Sequence, residues 1–373
     1  MSLLSTSRPA RRRRAQFHPL TVVGVERLTD DAVAITFSVP DELREEYRFT
    51  PGQHLTLRAT VNGEDVRQSY SICLSRRAAE RTGTLRVATA RVPGGRMSNW
   101  LNDRIAVGDV LVVMSPLGSC TCPSHPDGTR HHLAIAAGSG ITPVLSIITS
   151  VLEEEPGSRV TLLYGNRRTS SVMFLEELAD LKNRYPERLQ LVHVLSREPR
   201  DVELFTGRLD PERVARVLAA LAPVETIDEW YLCGPYGMVT GAQELLERAG
   251  VDSHHVHHEV FHVAEQESPR ERVVIEEGAP PAAVVTVSLD GRSTRIEMPT
   301  KDETILDATL RVRPDAPYSC TGGVCGTCRA RLVSGEVRMD RNYALEPEEV
   351  AAGVVLACQS HPVTDEVSLD YDA

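Results

Sequence analysis

Four cysteines near the C-terminus constrain this chain more than any other feature. Cys320, Cys325 and Cys328 stand as C-x4-C-x2-C in Cys320-Thr-Gly-Gly-Val-Cys325-Gly-Thr-Cys328, and Cys358 follows after an intervening hairpin. Three thiolates from one short loop and a fourth from a distant one is the spacing that holds a [2Fe–2S] cluster. A structural zinc site favours paired C-x2-C knuckles, and here one such pair has no second. The loop must wrap tightly, so Gly322, Gly323 and Gly326 are expected to take φ > 0 and aim backbone N–H groups at the sulfurs. Such amides tune the potential, which for this cluster type lies near ~−400 mV.

The length of 373 residues suggests two or three domains at about 100–200 residues each. Charged residues at 25% and apolar ones at 41% are ordinary globular usage, which excludes a mainly disordered or fibrous chain. A formal net charge of −11 argues against nucleic acid as a partner, since phosphate binding needs a basic face. No uncharged apolar run reaches the ~18–20 residues of a membrane span; Leu133 to Leu152 is broken by Gly138, Ser139, Gly140 and Pro143. Arg8 and Arg11 to Arg14 are followed by Gln16, Phe17, His18 and Pro19, without the apolar core of an export signal. The expectation is a cytoplasmic protein with a basic tail at 1–16, in a compartment where its eight cysteines do not form disulfides.

The pattern changes twice along the chain. Over 17–125 it alternates at period two, with Val33, Ile35, Phe37 and Val39 on one face and Leu55, Leu57, Ala59 and Val61 on another. Short strands separated by Asn62-Gly63, Pro93-Gly94-Gly95 and Val107-Gly108-Asp109 predict an antiparallel β-barrel. Over 126–263 strands (132–137, 159–164, 189–195, 229–233) alternate with helices (142–155, 173–184, 211–221, 236–249). That rhythm predicts a doubly wound parallel α/β domain, with ligands at the C-terminal ends of its strands. Residues 264–281 are rich in Glu, Pro, Gly and Arg and read as a linker. In 282–373 a hairpin around Asp290-Gly291 and a helix at 305–312 precede the cysteine cluster.

Ala136-Ala137-Gly138-Ser139-Gly140-Ile141-Thr142-Pro143 closes the first strand of the α/β domain and opens its first helix. Small residues there admit a pyrophosphate to the helix N-terminus. Cys233-Gly234 ends the fourth strand at the same sheet edge, although a lone buried cysteine is usually a small core residue. His254, His255, His257 and His258 invite a metal reading, but strand alternation sends 255 and 257 to one face and 254 and 258 to the other. Arg167, Arg168, Ser196 and Arg197 follow the second and third strands; cations there suit the 2′-phosphate of NADPH, where an acid would suit NADH.

The order flavin barrel, nicotinamide domain and C-terminal ferredoxin, with the stretches PGQHLTLRA, SYSIC, AIAAGSGITP, CGPYGM, SCTGGVCGTC and ACQS, resembles the ferredoxin–NADP reductase superfamily joined to a plant-type ferredoxin. These are the reductase components of multicomponent oxygenases. The resemblance implies an FAD-binding barrel, an NAD(P)-binding Rossmann-like domain and a β-grasp ferredoxin domain. Electrons would pass from NADPH through FAD and the cluster to an oxygenase, specifically the di-iron epoxidase acting on phenylacetyl-CoA in phenylacetate degradation. It also implies Tyr70 and Ser71 at the isoalloxazine, Gly95, Met97 and Ser98 at the FAD pyrophosphate, and Gly138, Gly140, Thr142 and Pro143 at the nicotinamide-domain turn. Cys233 and Gly234 would lie beside the nicotinamide C4, and Glu259 and Phe261 would return to the flavin.

Two positions depart from that pattern. Gln68 stands where the superfamily places the arginine that neutralises the FAD pyrophosphate, and Arg67, one residue back, belongs to the opposite strand face. Arg67 through a bulge, or Arg96, is then expected to supply the charge. Cys120 stands where an aromatic residue commonly packs on the adenine side. Two alternatives stay open. One is a reductase for another oxygenase or an acyl desaturase. The other is an iron–sulfur sensor with a decayed flavin site. The segment 282–373 carries nine Lys+Arg against fifteen Asp+Glu, an acidic surface that suits steering toward a basic acceptor.

Overall fold

Period-two alternation over the first hundred residues buries one face of each strand, and the computed structural model, which describes residues 15–262 and 280–373, closes those faces into a barrel. Its strands are β1 (Phe17–Thr29), β2 (Ala32–Ser38), β3 (His54–Val61), β4 (Glu64–Ser71), β5 (Thr84–Ala90) and β6 (Val110–Met114). They pair antiparallel in the order β4-β3-β6-β1-β2-β5. A single antiparallel bridge, Ile72 to Val87, brings the two ends of the sheet together. Two short helices, α1 (Arg76–Thr82) and α2 (Arg96–Arg104), interrupt the strands. The sequence pattern does not announce them, because seven to nine residues are too few to display a helical period.

The second unit is a five-stranded sheet, every pair parallel: β7 (His131–Ala137), β8 (Arg159–Asn166), β9 (Leu189–Leu195), β10 (Glu229–Pro235) and β11 (Val256–His262), in the order β11-β10-β7-β8-β9. Between them run α3 (Ile141–Glu154), α4 (Leu175–Arg184), α5 (Pro211–Leu221) and α6 (Tyr236–Arg248). Asp210 caps α5 by accepting from the Arg213 amide, with Pro211 at the first helical position, as the Asp-Pro-Glu run predicts. Helix α3 is buried along nearly its whole length because it is covered on two sides. One side lies on the parallel sheet, and on the other Ser146 Oγ donates to the Leu74 carbonyl at 2.7 Å and Arg76 pairs with Glu154. Barrel and α/β unit therefore share a continuous core in which Ala32, Ala34 and Ala88 meet Ile141, Val144 and Leu145.

The third unit is a five-stranded mixed sheet, β13-β12-β18-β14-β16, with a two-stranded pair β15-β17. Its strands are β12 (Ala283–Leu289), β13 (Arg292–Met298), β14 (Arg329–Ser334), β15 (Val337–Met339), β16 (Val354–Leu356), β17 (Ser360–Pro362) and β18 (Glu366–Asp370). Helices α7 (Ile305–Val312) and α8 (Pro347–Ala351) complete it. The parallel pairing of β12 with β18 at its centre and α7 beside β13 give the β-grasp layout. The first 14 residues of the basic tail and most of the linker at 264–281 lie outside the described residues.

Burial makes this fold acid-sensitive. His54, His131, His132, His193 and His258 are all held below the ordinary imidazole range, with burial the largest cause in each, and His54 falls to about 4. Below pH ~6.5 the unfolded chain protonates these imidazoles while the folded chain does not, so their contribution to stability falls as pH falls from ~6.5 toward ~4. His54 alone costs on the order of 1 kcal/mol at pH ~5.5. On going from pH ~7.5 to ~5.5 the wild type is expected to lose about 2–4 °C more in melting temperature than His54→Asn; equal losses would contradict this reading.

Candidate functional site

One face of β4 gathers contacts from all three units. Ser71 Oγ donates to Glu259 Oε2 on β11 at 3.1 Å, and Ser69 Oγ lies 2.9 Å from Ser319 Oγ, the residue before Cys320. Alternation puts Arg67, Ser69 and Ser71 on this face and Gln68 and Tyr70 on the other. Burial pushes Glu259 up to about 8, against the pull of the Ser71 hydrogen bond and with a further push from the side of Cys325. The side chain keeps 17% exposure. His54 Nδ1 stands 4.0 Å from Glu259 Oε1, and its Nε2 is buried without a protein partner.

Two turns present uncapped helix N-termini. Gly95 precedes α2, and a tight turn at Gly138–Gly140 leads into α3; neither start has a side-chain cap, which suits an anion at each. Gly94 and Gly138 take φ of 74° and 54°, and the space a Cβ would take at each is open. Gly140 is small for a different reason: a Cβ there would lie 2.2 Å from the Cys233 carbonyl oxygen. Thr142 Oγ1 donates to the Ser139 carbonyl and Ser98 Oγ accepts from the Val92 amide. Met97 packs into the barrel core, Pro143 is buried in α3, and Phe261 lies against the core that holds Cys233. These cradles fit the pyrophosphates of a flavin and a nicotinamide dinucleotide. Arg96 is paired with Glu64.

Arg167 and Arg197 come side by side, because the Arg197 amide donates to the Arg167 carbonyl at 2.8 Å and the Ser196 amide to the Asn166 carbonyl at 2.9 Å. Arg167, Arg168 and Arg197 are exposed, and among the described residues none of them forms an ion pair. Glu198 is turned to Thr169, whose amide and hydroxyl both donate to its carboxylate.

The four C-terminal thiols form two close pairs, Cys320 with Cys325 and Cys328 with Cys358. That matches a two-iron cluster, which takes two thiolates per metal; among the described residues no three ligating side chains converge as a single ion requires. Amides point at the sulfurs, Val324 and Cys325 at Cys320 Sγ (3.4 and 3.3 Å), and Cys320 and Thr327 at Cys325 Sγ (both 3.5 Å). Hydrogen bonds from the Cys320 thiol and from Thr327 outweigh burial and draw Cys325 down to about 6, toward the thiolate that ligates iron. The expectation of three left-handed glycines needs correcting. Gly323 and Gly326 take φ of 80° and 65°, but the third position is Thr321 at 51°, not Gly322. Gln359 Nε2 donates to the Thr321 carbonyl at 2.8 Å and braces it. His54, Ser319 and Gln359 sit inside the stretches PGQHLTLRA, SCTGGVCGTC and ACQS, and Tyr318 just before the second, but it is the fold that brings them to the site.

The four histidines divide as alternation predicts. His255 and His257 both reach Glu229, at 3.4 and 3.0 Å, while His254 faces Asp252 and His258 faces Glu346.

Comparison with known proteins accords with this layout. The profile of the oxidoreductase FAD-binding domain matches residues 19–121, that of the oxidoreductase NAD-binding domain 134–244, and that of the 2Fe-2S iron-sulfur cluster binding domain 287–363. The chain is 45% identical over 357 residues to a component of the 1,2-phenylacetyl-CoA epoxidase of Escherichia coli (strain K12), spanning 96% of this chain and 98% of that protein. It is 38% identical to the ferredoxin reductase component of 3-ketosteroid-9-alpha-monooxygenase from Rhodococcus rhodochrous, over 94% of this chain and 96% of the other. Among solved structures, phthalate dioxygenase reductase shares the fold with a TM-score of 0.58 at 22% identity, covering 95% of this chain and 98% of that one.

Proposed function

Because the chain belongs to the ferredoxin–NADP reductase family whose members carry a C-terminal 2Fe-2S domain, we propose that it is the NADPH-dependent reductase of a di-iron oxygenase that epoxidises phenylacetyl-CoA. It is an electron-transfer oxidoreductase of the kind that feeds multicomponent oxygenases. The proposal assigns flavin binding to residues 17–125, nicotinamide binding to 126–263 and cluster binding to 282–373, in a protein working in the cytoplasm. The observation that carries it is the convergence on one strand face of Ser71 with Glu259 and of Ser69 with Ser319. It brings the flavin motif, the end of the nicotinamide domain and the start of the cluster loop together.

When bound, FAD accepts an electron pair from the nicotinamide and releases electrons singly, which suits a one-electron iron acceptor. Tyr70 and Ser71 would position the isoalloxazine, and Ser71 with Glu259 would offer it hydrogen bonds. Gly95, Met97 and Ser98 shape the flavin pyrophosphate turn, and Gly138, Gly140, Thr142 and Pro143 that of the nicotinamide. Cys233, Gly234 and Phe261 wall the place where the nicotinamide ring enters. Cys320, Cys325, Cys328 and Cys358 would hold the cluster, as the pairs Cys320 with Cys325 and Cys328 with Cys358.

Arg167, Arg168, Ser196 and Arg197 select NADPH, since the acid beside them is already engaged by Thr169. Arg197→Ala is expected to raise KM for NADPH by about tenfold or more, the scale of a lost charged hydrogen bond, and to leave KM for NADH unmoved; equal shifts for both would contradict the assignment. The function is tested by mixing the protein with the di-iron oxygenase and phenylacetyl-CoA and following NADPH-driven epoxide formation. Brisk cytochrome c reduction without epoxide would move the acceptor to another oxygenase.

A further inference from the structure

Arg67 is nearly sealed, with 4% of its side chain exposed, yet it points away from the flavin motif and into the cluster-bearing unit. Its guanidinium donates to the carbonyls of Pro314 (3.2 Å) and Ala316 (3.4 Å) and lies 4.2 Å from the centre of the Tyr318 ring and 5.3 Å from that of Phe17. Asp65 on its own strand supplies a carboxylate at 3.6 Å. Two residues along the same face, Ser69 meets Ser319. All these partners except Phe17 and Asp65 belong to 314–319, the segment that runs directly into Cys320. A planar fork that can bond two carbonyls and stack on a ring at once is a property of arginine and not of lysine. A cation is buried at a cost unless such partners meet it.

We propose that Arg67 is a positioning residue that clamps the start of the cluster loop to β4, and so fixes the separation between flavin and cluster. The same strand carries Tyr70 on its opposite face and ends at Ser71, which meets Glu259, so β4 ties the flavin motif and the cluster loop to one rigid element. This assigns Arg67 to the electron-transfer step instead of the FAD pyrophosphate. It rests on the FAD and [2Fe–2S] assignments above.

The test uses the full-length holoprotein as wild type, Arg67→Ala, Arg67→Lys and Tyr318→Leu. FAD content per chain, the separate rates of flavin and iron–sulfur bleaching after anaerobic NADPH, and the radius of gyration by small-angle scattering are measured. Arg67→Ala is expected to keep its FAD and to bleach its flavin at nearly the wild-type rate. Its cluster is expected to bleach at least about tenfold more slowly, since displacement by an ångström can cost ~100-fold in a positioned reaction, and its radius of gyration is expected to increase. Arg67→Lys should follow Arg67→Ala, and Tyr318→Leu should shift the same readouts in the same direction. Loss of FAD from Arg67→Ala would make the arginine a pyrophosphate ligand and overturn the clamp, as would wild-type cluster bleaching. If Arg67→Ala does not fold, Tyr318→Leu decides by the same criteria. Wild-type protein lacking flavin or iron–sulfur bands would remove the functional premise, a result distinct from failure of the clamp.

Discussion

Replacing Cys325 by serine is expected to leave NADPH able to bleach the flavin while one-electron reduction of cytochrome c falls by more than the ~10–100-fold attached to losing a mere supporting group at a metal site. Cys325 sits at the crossing of the amide network. Its sulfur accepts from the Cys320 and Thr327 amides, and its own amide donates to Cys320. A serine hydroxyl is a hard, weakly acidic donor in place of a soft thiolate, so the iron shared with Cys320 is lost. The flavin motif is carried by the barrel and not by the cluster loop, so its two-electron chemistry is expected to remain. Stopped-flow bleaching and cytochrome c turnover on one preparation measure the two halves, and full-rate cytochrome c reduction would contradict the order of carriers.

Gly140→Ala is the second large effect. The added Cβ would stand 2.2 Å from the Cys233 carbonyl oxygen, 2.6 Å from its carbonyl carbon and 2.9 Å from the Gly234 nitrogen, all backbone atoms. Neither β10 nor the start of α3 can give way, because each is buried in a shared core. A cost of about 3 kcal/mol or more is expected, read as a lowered melting transition together with loss of NADPH-driven flavin reduction. Gly138→Ala is the control. It meets open space at φ 54°, so the cost is the conformational one alone, about 1–2 kcal/mol. Equal melting temperatures for the two variants would contradict the packing account.

These two glycines show what was legible and what was not. Their place between strand and helix follows from local pattern, and so does the expectation of a phosphate turn. That Gly140 is small in order to admit β10 depends on a strand some ninety residues later, which no local pattern contains. The cysteine spacing was legible because three ligands share one loop, yet the left-handed residue fell on Thr321, whose carbonyl is braced by Gln359 from the distant turn between β16 and β17. The opposite facing of Arg67 and Gln68 follows from strand alternation. Arg67's destination among Pro314, Ala316 and Tyr318 does not, since it lies 247 residues on or more. The meeting of Ser71 with Glu259, 188 residues apart, was reachable only through the resemblance. His54 falls in the stretch PGQHLTLRA, but its burial was not legible there, since it arises from how β3 packs under Leu117 and Gly118.

The absorption spectrum of the purified protein, before and after anaerobic NADPH, tests the central claim most directly. Flavin and iron–sulfur bands are expected together, both bleaching on NADPH. A colourless protein, or iron–sulfur bands that NADPH leaves unchanged even after FAD is added, would contradict the account.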